Sequence, residues 1–216
     1  MANFTETLLE DDFIVKVIHP SVESNQVLLA LHGWTGVETT MSIFTERIGN
    51  HFWVFQPRGF FPADPEGFSW VDHKSGKINA IQDFIRSAKR LHDIINPMIR
   101  RYCLPKNNTI NLVGFSQGAA MSIAYSLAYP EEINKAAILA GFLPTETDVL
   151  PLPPGLSNIN FFISHGTEDT VITIDKARKA VEYLNKSGAA ISYCEGRGGH
   201  RVSAECFKDL SEFFNL

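Results

Sequence analysis

Residues 114–118 read Gly-Phe-Ser-Gln-Gly, and a serine set between two glycines at this spacing suits a nucleophile. The pentapeptide is short enough to arise by chance. It carries weight only where a strand leads into it, a helix leaves it, and a base and an acid follow later in the chain. A neutral serine hydroxyl attacks a carbonyl only when a base takes its proton. Seven histidines are available, at 19, 32, 51, 73, 92, 165 and 200. His200 sits in a glycine-rich stretch, Gly-Arg-Gly-Gly-His-Arg-Val-Ser (196–203), between the last expected strand and the last expected helix. Ligand sites of open α/β sheets form at that carboxyl edge, so His200 is the best base. His92 falls on a helix and is expected in solvent, while His51 and His73 have no evident partner. His32 and His165 each precede a glycine at a strand end, where their backbones are expected to matter more than their rings. The base in turn needs an orienting carboxylate. His-Gly-Thr-Glu-Asp-Thr-Val-Ile (165–172) puts Asp169 just past a strand's carboxyl end, and position favours it over its neighbour Glu168. Two backbone donors must then meet the oxyanion of an acyl-transfer intermediate. The N–H of Gln117, directly after the serine, is one. The N–H of Trp34, in the early turn Ala-Leu-His-Gly-Trp-Thr-Gly (30–36), is the other.

The rest of the chain supplies elements able to position these groups. Short β-like runs alternate with longer helical patterns, which argues for an α/β class with a mostly parallel sheet. Strands are expected at 13–20 and 26–33, paired as an edge hairpin around a polar link. Further strands are expected at 51–57, 108–115, 135–141, 159–166 and 189–196. The 26–33 run is apolar throughout, as a strand covered on both faces requires. Ile81, Ile85, Ala88, Leu91, Ile95, Met98 and Tyr102 recur at steps of three and four and predict one long helix from about Ile78 to Tyr102. Pro97 should kink or end it. The small-residue run 117–128 predicts a helix leaving Ser116, and two more helices are expected near 174–187 and 203–214. Residues 142–158 hold four of the 11 prolines and read as a loop or small cap.

Composition narrows the function classes. The 216 residues suit a single domain, and the net charge of −5 without a basic block argues against nucleic-acid binding. The first dozen residues are acidic and lack the basic and apolar segments of a secretion signal, and no apolar run reaches the roughly 18 residues of a membrane span. Cys103, Cys194 and Cys206 follow no pattern and are expected as free thiols, with the cytoplasm as the expected location. No ligand spacing suggests zinc and no glycine-rich loop suggests a nucleotide, so neither metal nor cofactor is expected. Phe60, Phe61, Phe68 and Trp70 cluster in a Gly/Pro-rich loop. They either wall an apolar pocket near Ser116 or pack on one another. Arg58 and Arg201 are weaker candidates for binding an acidic substrate group.

The chain order Ser116, Asp169, His200 is that of the α/β-hydrolases. From Gln26 onward the sequence resembles their phospholipase/carboxylesterase branch, which includes bacterial carboxylesterases and acyl-protein thioesterases. The motifs are LHGWTG (31–36), PRG (57–59), GFSQGA (114–119), AGFLP (140–144), HGTEDTVI (165–172) and GGH (198–200). The resemblance implies an α/β-hydrolase fold, with a mostly parallel central sheet, helices on both faces and a minimal cap. It implies Ser116, Asp169 and His200 as the triad and Trp34 and Gln117 as the oxyanion donors. It also implies that the Gly141-Phe142-Leu143-Pro144 segment flanks the acyl pocket; Trp70, from the aromatic cluster, is the further wall residue expected there. The expected partner is a small-molecule ester, hydrolysed through a Ser116 acyl-enzyme; the oligomeric state is not readable. Activity is expected to rise with pH as His200 loses its proton. The alternatives are a long-chain acyl thioesterase or lysophospholipase, and a poorly catalytic ligand-binding relative. The turn LHGWTG differs from the LHGLGD that acyl-protein thioesterases resemble there, and the 57–73 segment looks more like the small bacterial esterases.

Overall fold

The structure is a computed structural model that describes residues 4–10, 12–72, 79–103 and 109–215. His73 and the expected starts of a helix at Ile78 and a strand at Asn108 lie outside the described residues. Among the described residues eight strands form the main sheet: β1 (Thr5–Glu10), β2 (Phe13–Ile18), β3 (Gln26–Leu31), β4 (Phe52–Pro57), β7 (Ile110–Phe115), β8 (Ile133–Leu139), β9 (Asn160–Gly166) and β10 (Ala190–Gly196). Their order across the sheet is β1-β2-β4-β3-β7-β8-β9-β10. From β4 to β10 every pairing is parallel, and the β1/β2 and β2/β4 pairings are antiparallel. Two two-residue strands, β5 (Phe61–Pro62) and β6 (Phe68–Ser69), make a separate small hairpin.

Strand alternation assigns the two faces. Val27, Leu29 and Leu31 of β3 join one core with α2 (Ile81–Tyr102), α3 (Gln117–Ala128) and α4 (Ile174–Asn185). Leu28 and Ala30 join the other with α1 (Ser42–Ile48) and α5 (Ala204–Asn215). A strand buried on both faces reads as continuously apolar for this reason. The same burial overturns the expected hairpin of 13–20 with 26–33. β3 needs paired neighbours on both edges and takes β4 and β7, so β4 separates it from β2. The hairpin that forms is β1–β2, and the sequence reading missed β1.

α2 buries Ile81, Phe84, Ala88, Leu91, Ile95, Met98 and Ile99, close to the expected stripe. It runs through Pro97 to Tyr102. The proline lies on an exposed turn, where water can serve the carbonyl it leaves without a donor. Residues 142–158 form a loop with two short 3₁₀ turns, Thr147–Val149 and Leu156–Asn158. Among the described residues no helix is long and apolar enough to cross a membrane.

The cysteine expectation is corrected. Cys194 and Cys206 form a disulfide, and Cys103 alone is free. Packing of α5 on β10 brings the two Cα atoms to 5.7 Å despite a separation of 12 residues. The step from free thiols to a reducing compartment therefore loses its footing. The Cys103 thiol is pushed up to about 11 by burial.

Candidate active site

Ser116 lies between the end of β7 and the start of α3, with φ 55° and ψ −114°. That backbone is strained for a residue with a Cβ. Contacts on both sides hold it there: the Ser116 N–H donates to the Leu139 carbonyl at 2.8 Å, and its carbonyl accepts the Ala119 N–H at 3.0 Å. The flanking glycines permit the close approach. A Cβ on Gly118 would stand 2.0 Å from the Leu31 carbonyl oxygen, and one on Gly114 2.2 Å from the Gly118 carbonyl oxygen. Any side chain at either position would push the helix off the sheet. Gln117 is the first residue of α3, so its backbone N–H has no acceptor within the helix and belongs to its positive end.

Two loops bring the other polar groups to the serine. His200, in the β10–α5 loop, has Nε2 3.0 Å from Ser116 Oγ. Its Nδ1–H donates to Asp169 Oδ2 at 2.7 Å. The second carboxylate oxygen, Oδ1, accepts the Val171 and Ile172 N–H groups, both at 2.9 Å. Burial raises the Asp169 carboxyl, but the hydrogen bonds from His200, Ile172 and Val171 and the charge of His200 outweigh it and hold the group below the usual range. A buried acceptor fixed at both oxygens sets one ring orientation for His200, with Nε2 left to face the serine. Such a series can draw a proton from a hydroxyl and return it to a leaving group. Glu168 instead pairs with Arg197 at 3.0 Å on the surface.

The structure also places groups that the sequence reading undervalued. His165 is buried, with Nε2 2.6 Å from the Ile172 carbonyl and 3.3 Å from Asp169 Oδ2. It braces the turn that carries the carboxylate. His32 is buried against the Trp34 turn, and its burial lowers it to about 4. Both rings are buried and hydrogen-bonded, where the backbones were expected to matter more than the rings. His92, expected in solvent, is half-buried, stacked 3.8 Å from Tyr129, and donates to Glu132 at 3.1 Å.

Ser116, Gln117, His200, Gly33 and Trp34 open onto one cavity of about 830 Å³. Trp34, Phe84, Phe115, Phe142, Val171 and Ile172 make its apolar walls, and Asp64 and Asn79 add polar groups. Trp34 (42% exposed) and Val171 (67% exposed) reach solvent. Of the expected pocket residues, Phe142 is on the wall. Leu143 is half-buried against the core and Trp70 is fully buried, and neither lines this cavity. The aromatic loop packs on itself and its surroundings: Phe60 stacks on Phe13 at 5.3 Å, and Trp70 meets it edge-on at 6.0 Å. Arg58 binds Glu38 through two hydrogen bonds of 2.7 and 2.9 Å and lies over the Phe68 ring, so its charge is already matched. Phe84 escaped notice because nothing in an apolar helical stripe says which member meets a ligand.

The family model for phospholipases and carboxylesterases matches residues 13–216. The chain is 26% identical to carboxylesterase SOBER1 of Arabidopsis thaliana over 180 residues, 78% of each protein. It is 25% identical to acyl-protein thioesterase 1 of Schizosaccharomyces pombe over 221 aligned positions, 91% of this chain and 93% of the relative. Its fold matches the crystal structure of a carboxylesterase from Mesorhizobium loti with a TM-score of 0.82 at 20% identity, covering 97% of this chain and 98% of that one. A carboxylesterase from Bacillus cereus matches at 0.81 and 18% identity, over 98% and 94%. The chain belongs to the phospholipase/carboxylesterase family of α/β-hydrolases and is, with that family, a serine hydrolase of ester bonds.

Proposed function

We propose that this protein hydrolyses small to medium carboxylic esters through a Ser116 acyl-enzyme. The observation that carries the reading is the hydrogen-bonded series Ser116–His200–Asp169 opening onto an apolar cavity of about 830 Å³. Ser116 Oγ attacks the ester carbonyl while His200 Nε2 takes its proton, and Asp169 stabilises the imidazolium that results. The tetrahedral oxyanion is met by the Gln117 and Trp34 N–H groups. Collapse expels the alcohol, which His200 protonates, and a water activated by the same ring releases the acid. The six apolar wall residues suit an aliphatic or aromatic acyl or alcohol group. A cavity of this size falls in the range that encloses small organic ligands.

Hydrolysis of p-nitrophenyl esters, with acyl chains from acetyl to palmitoyl, tests the reading in the wild type and in Ser116→Ala. Loss of a serine nucleophile costs on the order of 10⁶ in kcat in a serine protease, so the variant should be silent. An optimum among short chains supports the esterase reading. A palmitoyl optimum moves the assignment to a long-chain thioesterase or lysophospholipase, as the likeness to acyl-protein thioesterase 1 would favour. Binding of esters without turnover would establish a poorly catalytic binding protein instead.

A further inference from the structure

Neither His32 nor Trp70 lines the cavity, and the two are joined by a hydrogen bond from the Trp70 indole to the His32 carbonyl. His32 is fully buried, and its ring fits its surroundings in one tautomer. Nδ1–H donates to the Gly33 carbonyl at 2.7 Å, while Nε2 accepts the Gly59 N–H at 2.9 Å. The Gly33 carbonyl also accepts the Gly36 N–H at 3.0 Å. In a trans peptide unit the C=O and the following N–H point to opposite sides. Two donors fixed on the Gly33 carbonyl therefore turn the Trp34 N–H away from the His32 ring. Gly33 and Trp34 line the cavity they share with Ser116, and Gly33 is so close that a Cβ there would lie 3.3 Å from the Ser116 Cβ.

Trp70 ties this turn to the other oxyanion donor. Its Nε1–H donates to the His32 carbonyl at 2.7 Å, and its ring lies 4.9 Å from the imidazole. Its backbone N–H donates to Gln117 Oε1 at 3.0 Å, while Gln117 Nε2 donates to Ser69 Oγ at 3.0 Å. Ser87 Oγ closes the set by donating to the Trp70 carbonyl at 2.6 Å. Every member is buried, where satisfied polar networks hold one geometry.

We propose that His32 and Trp70 are positioning residues of the oxyanion hole. His32 aims the Trp34 N–H, and Trp70 fixes its distance from the Gln117 N–H. The proposal rests on the Ser116 acyl-enzyme reading above. Developing negative charge is met by preorganised dipoles, so a small misorientation acts on the transition state rather than on the bound ester. The effect should appear in kcat with KM unchanged.

The test compares His32→Asn, His32→Gln and Trp70→Phe, each scaled by titrating active Ser116 with a p-nitrophenyl phosphonate. Asparagine reaches as far as Nδ1 and keeps the donor to Gly33. Glutamine reaches the Nε2 position, keeps the acceptor for Gly59 and loses that donor. Trp70→Phe removes the indole N–H together with part of the ring volume, and leaves the backbone N–H to Gln117 in place. Per titrated site, kcat should fall about 10- to 100-fold in His32→Gln and Trp70→Phe, below the full cost of a deleted oxyanion donor. His32→Asn should stay within about threefold of wild type by the same scale. A merely structural role would lower the titratable fraction and leave kcat per site intact. Wild-type kcat per site in both Trp70→Phe and His32→Gln overturns the proposal, as does an equal fall in His32→Asn and His32→Gln. If the His32 variants do not fold, Trp70→Phe decides alone. A wild type that hydrolyses esters without a titratable Ser116 sinks the underlying reading instead, and the titration shows which has failed.

Discussion

Asp169 and His32 are both buried and titratable, and each keeps the charge state its neighbours demand. Asp169 stays ionised because hydrogen bonds from His200, Ile172 and Val171 outweigh the burial that opposes its charge. Asp169→Asn keeps the shape but reverses the preference, because an amide can donate to His200 Nδ1 and favour the wrong tautomer. By analogy with the same change in a serine protease, kcat should fall about 10⁴-fold while the fold is retained, which steady-state kinetics and circular dichroism would check. His32 is the opposite case. Burial lowers it to about 4, and the hydrogen bond to Gly33 offsets that only in part. The unfolded chain takes up this proton as pH falls below about 6.5, the folded protein only near 4. Stability is therefore intact above that window and declines as pH falls through it, by roughly 3 kcal/mol in all. Thermal melts from pH 7 to pH 4 should show that loss in the wild type, with a shallower slope in His32→Asn. Equal slopes would mean that His32 is not buried neutral.

At the scale of elements, the site depends on two helix-and-loop junctions, and they differ in how clearly the sequence announces them. The β7–α3 junction is legible because each constraint leaves a residue type behind: glycine where Leu31 and Gly118 carbonyls crowd in, serine between them, a small-residue helix after them. The long stripe of α2 was legible through its periodicity, and the buried parallel strands through their continuous apolar runs. The β10–α5 junction is less so. Its glycines and His200 stand out, but the Cys194–Cys206 link that closes this loop did not, because the pairing depends on where α5 packs. Replacing both cysteines with alanine releases a closed loop of about a dozen residues and should cost roughly 3 kcal/mol in the chain-entropy estimate, measured as a lower urea midpoint at unchanged m. The roles of His32 and His165 were hidden too. A histidine before a glycine at a strand end looks the same whether its ring faces solvent or pins a backbone carbonyl. β1 left only the weak alternation of an edge strand, and the wrong hairpin came from reading adjacency in sequence as adjacency in the sheet.

At the scale of the whole molecule, the proposed catalytic residues and the cavity wall come from segments distant in sequence that meet at the carboxyl edge of the sheet. Trp34 follows β3, Ser116 follows β7, Phe142 follows β8, Asp169 follows β9 and His200 follows β10. From outside those loops α2 reaches in through Phe84, whose ring meets Phe142 edge-on at 6.2 Å, and Asp64 and Asn79 add polar groups. On the proposed reading this arrangement separates chemistry from selectivity, since Ser116, His200 and Asp169 can stay fixed while wall residues change the space in front of them. Phe142 is the better probe of that space. Both rings belong to the core, Phe84 at 1% and Phe142 at 8% exposed, so truncating either would cost about 3–5 kcal/mol of stability, and Phe142 is preferred because it stands on a loop and not inside α2. Phe142→Ala removes a ring from the cavity wall beside the nucleophile without touching Ser116, His200 or Asp169. The acyl-chain optimum should move to longer chains, with kcat/KM for the shortest esters falling several-fold as they lose their wall; each methylene gained in the pocket is worth about 1 kcal/mol. An optimum that stays put while all chains slow equally would mean that Phe142 supports the fold and that the acyl group lies along Trp34 and Val171 instead.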